Sequence, residues 1–242
     1  MEFLSADFDR GFEHETRCRE VCSLRQELKN QIESDPNFLS KVITGDESRC
    51  YGCDPDTKQA SSHWMTPTSP RPKKRRQVMS NVKTTLIVFF FFDVRGIVHR
   101  EFVPPGQNVN HEFYLEVLRR LRENVRRKRP ELWRSGDWFL HHDNAPAHTA
   151  LSVIRYLTSL GWTLVPHPPY SPDLAPCDFF LSPTMKKKTL KGKSFATVEE
   201  VKTASQEALN NIKLQHFQRC FTQWEERLDK RIASNGEYFE GD

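Results

Sequence analysis

Apolar residues along this chain follow two rhythms, one with a helical period and one of alternating or unbroken short runs. From His14 to Glu33, "HETRCREVCSLRQELKNQIE" puts Val21, Leu24, Leu28 and Ile32 on one helical face, and Asp35-Pro36 ends that helix. "LSKVITGDES" is a short β-branched run closing at Gly45-Asp46, which predicts a strand ending there and running into a loop. "VKTTLIVFFFFDVRGIVHREFV" predicts two strands joined as a hairpin by "DVRG". Tyr114, Leu118, Leu121 and Val125 then share one face of a helix over 111–127, with Asn110 as its N-cap. "DWFLHH" predicts a strand that delivers Asp143 at its end, and 147–159 a helix with His148 on its first turn. "TLVPHP" predicts another strand, and "PPYSPDLAPCD" a proline-rich turn into a segment opening near Asp178. Two further helical patterns fill Val198 to Ser234, the second with Phe217, Phe221 and Trp224 on one face.

The order is strand, hairpin, helix, strand, helix, strand, helix. An early hairpin followed by crossovers fits an α/β (α+β) domain with a mixed five-stranded sheet of ribonuclease H type. A doubly wound parallel sheet fits less well, because the hairpin breaks the β–α alternation. Residues 52–80 contain four prolines among many Ser, Thr and Lys, which predicts a long exposed loop.

Composition narrows the class. The chain has 242 residues, enough for one large domain or one with a small appendage. Its longest apolar run, "LIVFFFF" from Leu86 to Phe92, is far short of the roughly 20 residues that span a bilayer, so no membrane partner is expected. "MEFLSADFDRGFEHE" shows no basic leader with an apolar stretch, so an intracellular protein is expected. The six cysteines, at 18, 22, 50, 53, 177 and 220, are then expected as thiols. "CYGC" at 50–53 is half a zinc site whose other half is missing, and His14, Cys18 and Cys22 read equally as one buried helical face.

Net charge is only +4, yet the basic residues cluster in "RPKKRR" (71–76), "RRKR" (126–129) and "KKKTLKGK" (186–193). Runs of charge usually form solvated faces, but three on a near-neutral chain point to a polyanion, with DNA the expected partner. The residues expected to meet it are Arg71, Lys73, Lys74, Arg75, Arg76, Arg126, Arg127, Lys128, Lys186, Lys187 and Lys188. "RPKKRR" also has the form of a nuclear import signal, so a nuclear location is expected; no small-molecule substrate is.

Three aspartates sit at comparable places: Asp46 at the end of the first predicted strand, Asp143 at the end of the fourth, and Asp178 after the fifth. Neighbouring strand ends of a mixed sheet converge, and carboxylates there can hold hard divalent cations. Two such ions roughly 4 Å apart can activate an attacking hydroxyl and stabilise the leaving oxygen of a phosphodiester. A chain with 32 acids also has aspartates at strand ends for no catalytic reason, so the residues alone leave both readings open. His141 and His142 alternate at a strand end, which predicts one facing the core and one facing solvent. They and His148 are expected behind the carboxylates or facing DNA, with no second cluster to make a zinc site.

"VITGDES", "HHDNAPAHT" and "PHPPYSPDLAPCDFFL" resemble, in order, the three catalytic blocks of mariner-type (Tc/mariner) transposases. "SPRPKKRRQ", "LEVLRRLRENVRRKRPELW", "KGKSFATVEEVKTAS" and "GEYFEGD" resemble the family as well, and the 34 residues numbered 144 to 177 match its spacing between the last two aspartates. The resemblance implies a ribonuclease-H-like catalytic domain that cuts DNA at transposon ends and joins the freed 3′-hydroxyl to a target. It implies Asp46, Asp143 and Asp178 as catalytic residues holding Mg²⁺ (or Mn²⁺), with Asn144 and Pro146 shaping the second block's turn. The loop after Asp46 corresponds to a clamp reaching the other subunit of a homodimer.

Residues 1–39 then read as a worn linker and an N-terminal helix, and 40–242 as the catalytic domain with its clamp-like loop at 52–80. The family's helix-turn-helix region is not matched, so impaired recognition of transposon ends is expected. The alternative is a catalytically silent DNA-binding or dimerising domain. Where the family has Trp, Tyr and a large apolar residue, this chain has Arg49, Cys53 and Ser182. Its Phe run is two longer, which keeps the alternation but moves the strand by about 6.6 Å, a shift the next turn is expected to absorb.

Overall fold

The computed structural model describes residues 23–51 except 25, residues 85–186, residue 195 and residues 197–233. The predicted loop at 52–80, with Arg71, Lys73, Lys74, Arg75 and Arg76, lies outside the described residues, as do Lys187, Lys188, His14, Cys18, Cys22 and Cys53.

Helix α1 (residues 26–34) leads into five strands: β1 (Val42–Tyr51), β2 (Thr85–Asp93), β3 (Gly96–Phe102), β4 (Phe139–His141) and β5 (Thr163–Val165). Between and after them lie helices α2 (His111–Lys128), α3 (Pro130–Ser135), α4 (Leu151–Ser159), α5 (Ser182–Met185), α6 (Val198–Asn210) and α7 (Leu214–Ala233). The strands lie in the order β3-β2-β1-β4-β5. β2 is antiparallel to both its neighbours, while β1, β4 and β5 are parallel. This is the expected mixed sheet.

β1 is longer than its sequence pattern. It does not stop at Asp46 but pairs with β2 from Thr44 to Tyr51, so Asp46 stands mid-strand opposite Phe90. The ladder to β2 carries Glu47, Ser48 and Arg49, poor strand formers by themselves, past the expected end.

Both faces of the sheet are covered. Phe90 and Phe92 enter one core with Val42, Leu181, Phe217, Phe221 and Trp224, which Leu28 and Phe38 join from the segment before β1. Phe89 and Phe91 enter a second core with Ile43, Leu140, Tyr114 and Leu118. All four phenylalanines are fully buried, each contributing roughly 1.5–3 kcal/mol of transfer free energy. Across the hairpin Asp93 pairs directly with Gly96, and the register shifts between Phe91 and Phe92, where β3 carries Val98 as the extra residue. The extra residue makes a bulge in β3, opposite the Phe run.

Helix α2 follows its pattern closely. Asn110 caps it by accepting from the Phe113 amide at 3.0 Å, and Tyr114, Leu118, Leu121 and Val125 are buried. On α7, Phe217, Phe221 and Trp224 are buried as expected. Cys50, Cys177 and Cys220 are buried, and none of them forms a disulfide among the described residues. Among the described residues no helix is long and apolar enough to cross a membrane.

Candidate active site

Strand alternation divides β1 between the two cores. Val42 and Cys50 belong to the core under α6 and α7, and Ile43 to the core under α2, so Asp46 takes the first side and Glu47 the second. Gly45 lies directly opposite Phe91, whose ring would sit only 2.1 Å from an added Cβ. A side chain there would have to displace the ring, so glycine lets Phe91 close over the strand beside Asp46.

Asp143 stands two residues past β4, at the lip between the faces. Its Oδ1 accepts from the Ala145 amide at 3.1 Å and from His148 Nδ1 at 2.6 Å. His148 was expected on the first turn of a helix; it sits instead in the turn before α4, where its amide and that of Thr149 both donate to the Ala145 carbonyl. From there Nε2 faces Glu47 Oε2 at 3.4 Å, an ion pair without hydrogen-bond geometry. One imidazole thus spans two carboxylates.

Asp178 lies in the first turn of a π-helical segment, Cys177–Leu181. Its chain approaches through a 3-10 turn, Pro172–Leu174, whose Asp173 forms a buried bidentate pair with Arg231 of α7 at 2.5 and 2.7 Å. Asn144 Nδ2 donates to the His167 carbonyl at 2.7 Å, tying the Asp143 loop to the segment after β5.

The histidines differ from the expectation that one faces solvent. His141 and His142 are both buried because each face of the sheet carries helices. His141 accepts or donates with Thr44 Oγ1 at 2.8 Å and His167 at 3.1 Å and packs on Trp224, while His142 Nδ1 meets Tyr114 Oη at 2.8 Å. Burial and then the charge of His148 hold His142 down at about 3, so it is neutral and shares one hydrogen bond with the Tyr114 hydroxyl through Nδ1. The neutral ring stacks on His148, centroids 5.2 Å apart.

The carboxylates feel one another. Burial, followed by the charges of Glu47, Asp143 and Asp178, raises Asp46 well above the usual aspartate range. Burial and the charge of Asp143 push Asp178 up to about 6, with Lys186 opposing. Burial is the largest single influence on Asp143 and disfavours its anion too, but the His148 hydrogen bond, the His148 charge and the Ala145 amide together outweigh it and hold Asp143 below the usual value. The same contacts overcome desolvation at His148 and raise it to about 9, so the ring is cationic at neutral pH.

Four carboxylates from three segments offer only hard oxygen donors, the chemistry that Mg²⁺ and Mn²⁺ take. Among the described residues no three acidic, His or Cys side chains converge closely enough to enclose an ion. That Asp46 and Asp178 are both held up, each in part by neighbouring carboxylates, nonetheless marks a surplus of negative charge that a divalent cation would neutralise. The donor chemistry of these carboxylates, rather than a closed cluster, suits such an ion.

Lys186 acts on Asp178, so the site gathers one of the expected basic residues. Arg126, Arg127 and Lys128 are exposed at the far end of α2, twelve residues and roughly 18 Å of helix from Tyr114. Glu47 was missed in the sequence because it neighbours Asp46 and so points to the other face. Its link runs through His148, and the signal available was an acid adjacent to one aspartate and a histidine five residues beyond another.

The sheet order is that of a ribonuclease-H-like domain, with an aspartate on the first strand, one after the fourth and one after the fifth. Residues 54–135 match the family model described as "Transposase (partial DDE domain)", and 205 residues are 33% identical to the Mariner Mos1 transposase of Drosophila mauritiana. The chain is thus a homologue of the Mos1 mariner transposase and covers the catalytic region of that relative. That match covers 84% of this chain and 58% of the relative, so the chain spans less than two thirds of the curated relative's length. The crystal structure of the catalytic domain of Mos1 mariner transposase superposes with a TM-score of 0.74 at 28% identity, covering 93% of this chain and 97% of that one. The Mos1 mariner paired end complex with Mn superposes at 0.84 and 30% identity, covering 93% and 64%.

Proposed function

We propose that this chain performs metal-dependent DNA strand cleavage and strand transfer, with Asp46, Asp143 and Asp178 holding Mg²⁺ or Mn²⁺. The observation that carries the reading is the electrostatic coupling of three aspartates delivered by one strand and by the segments that follow β4 and β5. Bound there, the metal would supply activation of an attacking hydroxyl and charge stabilisation at the leaving oxygen. His148 keeps the Asp143 carboxylate ionised and oriented, and its second nitrogen draws Glu47 toward the same point. Tyr114 fixes His142 behind it.

DNA is the proposed partner, met by Arg126, Arg127, Lys128 and Lys186, by Lys187 and Lys188, and by the basic run from Arg71 to Arg76. The paired-end complex of the Mos1 relative supports pairing of two copies on DNA, and its manganese supports the choice of metal. The nucleus is the proposed place of action, on the strength of "RPKKRR".

The test is thermal unfolding with and without millimolar Mn²⁺, beside Asp143→Asn, followed by nicking of a labelled pre-cut duplex. Mn²⁺ is expected to raise the midpoint of the parent only, because a ligand bound at 100 times its Kd adds about 2.7 kcal/mol. Cleavage should follow the same pattern. An unmoved midpoint together with an intact duplex sinks the reading and leaves a DNA-binding domain without chemistry.

A further inference from the structure

A groove of about 1060 Å³ runs between the edge strand β3 and the outer face of α2, away from the aspartates. His99, Arg119, Arg120, Asn124, Arg126 and Arg127 line it. Glu116 and Glu123 also face it, so four guanidinium groups meet two carboxylates and the groove is net positive.

The distribution of partners matters more than the count. Arg120 is held by Glu101 at 2.7 Å and Glu116 at 3.4 Å, and Arg126 by Glu123 at 2.7 Å. Among the described residues neither Arg119 nor Arg127 has a carboxylate within ion-pair distance. Arg119 lies over the Tyr156 ring at 5.8 Å, and Arg127 Nη2 donates to Asn124 Oδ1 at 2.9 Å. Asn124 Nδ2 in turn donates to Nδ1 of the buried His99 at 2.9 Å. Both cations are therefore positioned by uncharged groups, which orients them without cancelling their charge.

Eight residues separate Arg119 from Arg127, a rise of roughly 12 Å along the helix. That is about three to four phosphate steps of one DNA strand at 3.4 Å each. The helix also points the right way: Tyr114, near its start, contacts His142 and His148 beside Asp143, and the groove lies farther along the same helix. We infer that the α2–β3 groove is a second DNA-backbone site, which holds the phosphates of duplex DNA beyond the segment engaged at the aspartates. The inference rests on the DNA-processing reading and extends it to a surface with no part in the chemistry. Guanidinium forks match phosphate oxygens in pairs, and phosphate contacts set register without reading sequence.

The test measures binding of a labelled 30-base-pair duplex of arbitrary sequence by anisotropy over a salt series. Arg119→Glu/Arg127→Glu is compared with Arg155→Glu/Arg219→Glu, which makes the same charge change at exposed positions outside the groove. Arg119→Gln/Arg127→Gln serves as the milder pair, and unfolding midpoints confirm that all variants fold. The groove variant is expected to bind at least about tenfold more weakly and to lower the slope of log K against log salt by about 2, since each phosphate contact contributes about 0.9. The glutamine pair should fall between parent and groove variant, and the control pair should stay near the parent. Equal losses in the groove and control pairs, or no loss in either, overturn the groove while leaving DNA binding intact. A parent that binds no duplex at all overturns the underlying reading as well.

Discussion

Burial pushes both Asp143 and Asp178 up, yet their net shifts are opposite because only Asp143 has a cation in hydrogen-bond contact. The difference has a pH signature. Asp178 holds its proton to about 6 in the folded chain, against about 3.9 when unfolded. Between those values the folded state binds more protons, so this residue's contribution to stability falls as pH rises through the interval. His148 runs from about 6.5 unfolded to about 9 folded; its contribution is whole below 6.5 and is lost as pH climbs through 9. A cation needs the ionised carboxylate, so Mn²⁺ stabilisation should be small at pH 5 and grow through pH 6 to 7.5. Midpoints at those three pH values, with and without Mn²⁺, check this; an increment that is flat with pH contradicts the placement of Asp178. The spacing of the aspartates was legible in the sequence. The role of His148 was not, because it depends on a turn that carries the imidazole back over Asp143 and across to Glu47.

The elements that were legible are those whose period is carried by their own residues. The Phe-rich hairpin and α2 repeat their pattern at each step, and the Asn110 cap marks the start of α2. β1 past Asp46 was not legible, since "GDESRCY" has little strand propensity and its extension comes from pairing with β2. The entry to the π-helical segment at Asp178 was equally hidden: the Ala175 carbonyl accepts from both the Asp178 and Phe179 amides, a shared bond with no residue signature. That turn is anchored one step earlier by Asp173 and Arg231, whose side chains are only 7% and 4% exposed. Removing one partner of a buried pair leaves an uncompensated charge, so Asp173→Ala should cost about 3–5 kcal/mol in urea unfolding. Asp173→Ala with Arg231→Met should recover much of that loss. A single-variant loss below about 1 kcal/mol would show that the pair does not anchor the turn.

At the scale of the molecule, the sheet is a wall between two cores, and the four consecutive phenylalanines of β2 supply both. An unbroken apolar run is what a strand covered on both faces requires. The expectation that one of His141 and His142 meets water failed for the same reason: the helices that cover each face are set by the whole chain and leave no mark on two adjacent residues. The long pairing of β1 with β2 has a mechanical side as well. Asp46 rides on a stiff ladder, whereas Asp143 stands on a turn and Asp178 on a π-turn, so the site is a vice with one fixed jaw and two sprung ones. Whatever draws the three carboxylates together must move the sprung jaws. Adding Mn²⁺ and duplex DNA should therefore slow amide exchange at 144–149 and 178–181 and leave 45–48 unchanged, and slowing confined to the strand would reverse the picture. The compliance of this site resides in its loops, and its alignment in a strand that keeps its place.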